Sequence, residues 1–143
     1  TQWASANYIS KEEYLEFGKP YDLRILKAAR EAELNILHVC ESNNFLDLFV
    51  DYPAHIVNWD TTDSTNLNLK EGAKLLQKVV LGGIEHKEAL LKNSSEQIVV
   101  QACKIRESME NLRWILGPGC TFEPKVPEEN LKALRDEVEK WRV

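Results

Sequence analysis

The chain has 143 residues, 43% of them hydrophobic and 29% charged, with a formal net charge of −5. This is the balance of one globular domain with its own core. With Lys and Arg scattered among Asp and Glu there is no basic face for a nucleic-acid backbone, and no apolar run approaches the ~20 residues that span a bilayer. The N-terminus lacks the basic and apolar regions of a signal peptide, so a cytoplasmic protein without nucleic-acid or membrane partners is expected. Three cysteines, Cys40, Cys103 and Cys120, are then better read as thiols or metal ligands than as a disulfide framework. The first residue, Thr1, is not Met, and the chain reads as part of a larger polypeptide.

Ser10 to Glu13 is a capping box, followed by Tyr14, Phe17, Tyr21, Ile25 and Ala28 at helical spacing. Gly18-Lys19-Pro20 marks a kink in that helix. Leu34 to Cys40 fits a buried strand, with Glu41 to Asn44 as its exit loop. Phe45 to Tyr52 predicts a short helix stopped at Pro53. His55 to Asp60 reads as a second strand, with the Asp-, Thr- and Asn-rich run to Asn68 as its loop and a helix from Leu69 to Gln77. Lys78 to Ile84 predicts a third strand. Helices over Lys87 to Lys92 and Ser95 to Glu110 follow, the second capped by Ser94 and Gln97. Leu112 to Gly117 is the fourth strand, and Pro127 starts a last helix with Leu131, Leu134, Val138 and Trp141 on one face.

Alternation of helices with apolar strands predicts an α/β fold with four parallel strands. Neither Gly82-Gly83 nor Gly117-Pro118-Gly119 makes the phosphate loop of a doubly wound domain. Residues two apart on a strand share a face, so His38 and Cys40 lie side by side at a strand's C-terminal end, and Cys120 lies just beyond another. A His and two Cys at one mouth could form a zinc set with an open fourth position. By composition alone, a core histidine and two ordinary buried thiols is the plainer account. Asp60 is a candidate catalytic or substrate-binding group, with a cap on its own loop as the equal alternative. Glu85-His86 reads first as solvated loop. His55, at a strand start, is given no chemistry, Cys103 is expected to be a packed thiol, and Trp3, Trp59, Trp114 and Trp141 are expected in the core or barrel wall.

Gln2-Trp3-Ala4-Ser5, Tyr14 to Phe17 and Pro20-Tyr21 resemble the uroporphyrinogen decarboxylase superfamily, where a strand end leads into a helix carrying a Phe and a Pro-Tyr pair. Val57 to Asp60, Val80 to Gly83 and Gly117 to Asn130, with Pro127-x-x-Asn130, are similar to its last three strand ends. The resemblance runs over essentially the whole chain. It implies the C-terminal half of a (β/α)8 barrel, a single half-barrel domain holding the fifth to eighth strands, with Thr1 just beyond the fourth.

Within that superfamily, His38-x-Cys40 and Cys120 match the motif of zinc-dependent methyltransferases, which move a methyl group from a corrinoid to a thiol; Glu41 stands where that motif usually has Gly. The resemblance thus implies zinc on His38, Cys40 and Cys120, a corrinoid protein or free corrinoid as methyl donor, and a small thiol as acceptor. Decarboxylases of porphyrin biosynthesis carry instead a Gly-His-Gly and a Ser, where this chain has Pro118 and Gln2. A decarboxylase, or a non-catalytic binding domain of the same fold, is the alternative. Half a barrel would expose the inward residues Ile36, His38, Val57 and Val80, so a homo-oligomer or the remainder of its own barrel is expected to cover them.

Overall fold

The computed structural model describes residues 2–141; Thr1 lies outside them. The first helix starts as α1, Lys11–Glu13, behind the predicted Ser10/Glu13 capping box. It opens into a π turn, Tyr14–Gly18, and continues as α2, Lys19–Ala28. The cause of that turn is local. Pro20 has no N–H to give to the turn below, and its ring would crowd the carbonyl four residues back. The chain widens by one residue and Lys19 N–H bonds to the carbonyl of Tyr14 instead. Beneath it, Tyr14 Oη donates to Asp22 at 2.5 Å and meets Tyr52 Oη at 2.9 Å, so the polar tips of this buried cluster satisfy one another.

The four strands are β1 Ile36–Val39, β2 Ile56–Trp59, β3 Val79–Ile84 and β4 Trp114–Pro118, paired in that order and all parallel. Between them lie a 3-10 turn at Leu46–Phe49, where a short helix was expected, then α3 Leu69–Leu76, α4 Ala89–Lys92 and α5 Ser95–Ser108. The Ser94/Gln97 box caps α5 as predicted, and an equivalent Asn68/Glu71 box caps α3. The last helix, α6 Glu128–Lys140, follows Pro127, with Leu131, Leu134 and Trp141 packed on the core. Gln2 adds a single parallel bridge to Val39 on the outer edge of β1.

The helices cover one face of this sheet. Leu37, Val39, Val57, Trp59 and Val80 pack with Tyr14, Phe49, Leu69, Ala73 and Leu76 in the larger cluster. Ile84 joins Leu90, Ile98 and Ala102 in the smaller one. The opposite face carries Ile36 and His38, then Asn58, Leu81 and Ile115, with Ile36 and Ile115 exposed. One covered face and one open face is the layering of a barrel wall, whereas a doubly wound sheet has helices on both sides.

This corrects the expected inner face. Ile36 and His38 are on it, but Val57 and Val80 are fully buried under the helices. The register pairs Leu37 with Val57 and Val57 with Val80, so both share the phase of Leu37, and a slip of one residue reverses every side chain. Trp3 is also misplaced by the sequence reading. It is 60% exposed and stacks on Tyr8, while Trp59 is buried and Trp114 packs near Trp141.

Helix α3 sits directly on Trp59. A Cβ on Gly72 would overlap the indole ring, so close approach of helix to sheet requires glycine there. Gly72→Ala is therefore expected to destabilise the fold by about 1–3 kcal/mol despite alanine's better helix propensity. A urea melt with a lowered midpoint and an unchanged slope is the expected reading.

Candidate metal centre

At the C-terminal ends of the strands the structure brings His38, Cys40 and Cys120 together. One ligand atom from each lies within 4.8 Å of the others, and Cys120 Sγ is 3.4 Å from His38 Nε2. His38 lies on β1, which points it onto the open face. Cys40 follows the strand, its N–H bonded to the carbonyl of Gln2 at 2.7 Å. Cys120 arrives from β4, three strands away, and Gly119 makes the crossing possible. Its N–H reaches Ile84 O at 3.3 Å, and a Cβ there would fall 2.8 Å from Asp60 Cα and 3.3 Å from Trp59 O. Backbone cannot yield as a flexible side chain can, so only glycine lets the loop lie this low over β2.

Asn58, which the sequence reading passed over, fixes the imidazole. Its Nδ2 donates to Leu81 O at 2.9 Å and to Pro118 O at 3.1 Å, and its Oδ1 lies 2.6 Å from His38 Nδ1. With both amide hydrogens spent on carbonyls, Oδ1 accepts, so Nδ1 carries the proton and the Nε2 lone pair faces the cysteines. A hydrogen-bonded second nitrogen is what a metal-binding histidine ordinarily has. The signal was present as a lone polar residue in the apolar run Ile56–Trp59, in register with His38.

Burial lowers the His38 pKa against the opposing bond from Asn58, which favours neutral imidazole. The Cys40 thiol is pushed up, first by burial and then by Cys120 beside it. Two thiols and a neutral imidazole converging in a half-buried pocket fit a zinc ion, whose charge would reverse the penalty on the thiolates. Glu41, directly after the pair, has φ of 79°, a backbone state that favours glycine.

Asp60 lines the same cavity of about 120 Å³ with Cys40, Cys120, His86 and Lys87. Its Oδ1 accepts from Thr62 N at 3.1 Å and Thr62 Oγ1 at 2.7 Å, and Oδ2 pairs with Lys87 Nζ at 3.2 Å. The carboxylate thus caps its own loop and faces the site at once. Burial works to raise its pKa, but the bonds from Thr62 and Lys87 outweigh that and hold it below the usual range.

His86 is not in a solvated loop. It is 5% exposed, and its Nδ1 has no hydrogen-bond partner among the described residues, the Asp60 carboxylate standing 4.0 Å away. Glu85 before it organises the turn, accepting from the backbone N–H groups of Lys87, Glu88 and Ala89 at 2.7, 2.8 and 2.5 Å. His55, at the opposite end of the sheet, accepts from Asn35 N at 3.0 Å, and Cys103 sits against Glu137 between α5 and α6. Neither approaches the cluster.

The family model for uroporphyrinogen decarboxylase (URO-D) matches residues 2–141. The chain belongs to the uroporphyrinogen decarboxylase family. No curated protein matches it. Among solved structures it is similar to a methyltransferase from Methanosarcina mazei, with a TM-score of 0.79 at 22% identity, over 98% of this chain and 40% of that one. The chain therefore spans well under half the length of that structure. The likeness shows the fold, part of a (β/α)8 barrel, and agrees with four parallel strands covered on one face. No helix among the described residues is long and apolar enough to cross a membrane.

Asp60 sets a pH dependence whose sign is fixed by its lowered pKa. Its contribution to stability is fully present above the unfolded carboxyl value of about 3.9 and is lost as pH falls through the lower folded value. Asp60→Asn should flatten the acid limb of a stability-against-pH curve below about pH 4, and little should change in that limb's slope near neutrality.

Proposed function

We propose that this chain is the C-terminal half of the barrel of a zinc-dependent methyltransferase of the family, one that moves a methyl group from a corrinoid to a small thiol. The observation that carries this reading is the convergence of His38 Nε2, Cys40 Sγ and Cys120 Sγ within 4.8 Å, with the imidazole tautomer set by Asn58. Zinc held by these three residues, when bound, supplies a Lewis acid that keeps an acceptor thiol deprotonated and nucleophilic at neutral pH. The chain's own residues do the rest. Asn58 aims the Nε2 lone pair, Gly119 lets Cys120 reach the other two ligands, and Cys40 and Cys120 lose their protons on becoming ligands. Asp60, held ionised by Thr62 and Lys87, keeps a fixed negative charge on the cavity wall. The corrinoid approaches the mouth at the C-terminal ends of the strands, and the remainder of the barrel, rather than a second copy, covers the face that carries Ile36 and Ile115 in a cytoplasmic, single-domain enzyme.

The decarboxylase alternative finds less support. Pro118 offers only its carbonyl, already bonded to Asn58, and Gln2 is tied through its backbone to β1. Neither position places an ionisable group at the mouth.

Metal analysis of the full-length protein tests the proposal. Stoichiometric zinc is expected, lost in His38→Ala, Cys40→Ser and Cys120→Ser, while Asn58→Ala weakens binding by roughly 10–100-fold. Zinc that stays in all three ligand variants, or is missing from the wild type, would falsify the assignment.

A further inference from the structure

His86 is the one deeply buried polar side chain of the cavity, among the described residues, that the fold leaves uncommitted. The oxygens of Asp60 are taken by Thr62 and Lys87. His38 is held by Asn58 and faces Cys120. His86 Nδ1 has no partner, with 6% of its side chain exposed and the nearest acidic oxygen at 4.0 Å. An imidazole that deep gains nothing for the fold by leaving a nitrogen unpaired, and an orphaned buried group of this kind is what an incoming ligand can satisfy.

The backbone that carries it is also built rather than loose. Gly83, at φ 104°, turns the end of β3 and gives its N–H to Thr61 Oγ1 at 3.0 Å. Glu85 then fastens the next three backbone N–H groups after His86. On one side the imidazole borders the cavity of Cys40 and Cys120, and on the other a cavity of about 620 Å³ lined by Phe122, Leu91 and Lys125. It stands in the wall between the metal ligands and the roomier space through which a small molecule would come.

We infer that His86 is a substrate-binding residue of this site. Through Nδ1 it hydrogen-bonds a second polar group on the acceptor thiol, so that the site selects thiols bearing such a group over plain alkyl thiols. The inference rests on the metal-centre reading above and adds to it the recognition of the acceptor.

A pair of isosteric probes isolates the contact. Full-length protein loaded with Co²⁺ in place of zinc is titrated with 2-mercaptoethanol and with 1-propanethiol, and the thiolate-to-cobalt absorption is followed. The two probes differ only in a hydroxyl against a methyl, and one hydrogen bond of ordinary strength corresponds to about a fivefold preference. The wild type is expected to bind 2-mercaptoethanol tighter by about that factor. His86→Ala should bring the two affinities to near parity with cobalt content and melting temperature unchanged, and His86→Gln should restore part of the preference. Preference unchanged in His86→Ala overturns the inference while leaving the metal centre intact. Loss of cobalt and a lowered melting temperature in both variants also overturns it, since His86 would then be a structural support. Wild-type protein that takes up no metal overturns both readings together.

Discussion

A single amide holds the mouth of this sheet together. Asn58 sits on β2, receives the Nδ1 proton of His38 on β1, and gives its own two hydrogens to carbonyls at Leu81 on β3 and Pro118 on β4. Every strand of the sheet is touched by one side chain of three hydrogen-bonding positions. Removing it would strand two carbonyls and an imidazole nitrogen at once, and buried groups left unpaired cost about 1–3 kcal/mol each. The same side chain decides the tautomer of His38. Fold and site geometry are thus linked through one residue, and the turning of the Nε2 lone pair toward Cys120 follows from the strand register that sets His38 opposite Asn58.

The rest of the mouth is made in the same way, by side chains reaching backbone rather than by the strand ladder. Asn66 donates to the carbonyls of Glu41 and Asp60, tying the loops after β1 and β2. Thr61 takes the N–H of Gly83, tying β2 to β3. Gly119 drapes the loop after β4 over Asp60. Each strand end is fastened to the next, so His38, Cys40 and Cys120, the three proposed metal ligands, are set by rigid elements before any ligand arrives, which is what a precise site needs. The strained backbone at Glu41 belongs to this bracing, since its carbonyl accepts from Asn66 while its φ stays positive.

How much of this could be read from the sequence depends on whether a residue carries its own phase. His38-x-Cys40 does, because two chemically distinctive residues two apart on a strand must share a face. The order of four parallel strands was equally plain from alternating helical and apolar runs. The inward face was not. Ile56-Val57 and Val79-Val80 are adjacent apolar pairs in strands that read as nearly continuous hydrophobic runs, and such runs give no alternation from which to choose a face. The register to Leu37 settles it, and register is a property of two strands. His86 escaped for a related reason. In the run Glu85-His86-Lys87-Glu88 every neighbour is polar, and the segment with which it lines a cavity, around Phe122, lies far along the chain. Asn58 was legible in principle as the polar break in an apolar strand, but its meaning required knowing that it lies beside His38.

The two kinds of polar residue at this mouth follow different energetic rules. Asn58, Asp60 and Glu85 have their hydrogen bonds satisfied within the chain, so the fold supports them and they support the fold. His38 and Cys40 are pushed by burial toward their neutral forms, so neither of itself places a charge in the half-buried pocket. A structural zinc site usually works the other way, with folding dependent on the metal. Here the donors are positioned in advance by neighbours that are themselves satisfied, and three converge among the described residues. Zinc taken up as proposed would displace protons from the cysteines into a geometry already fixed, so its affinity would rise with pH. Three preset donors beside a cavity would, with a metal bound, suit exchange of a bound group better than permanent closure.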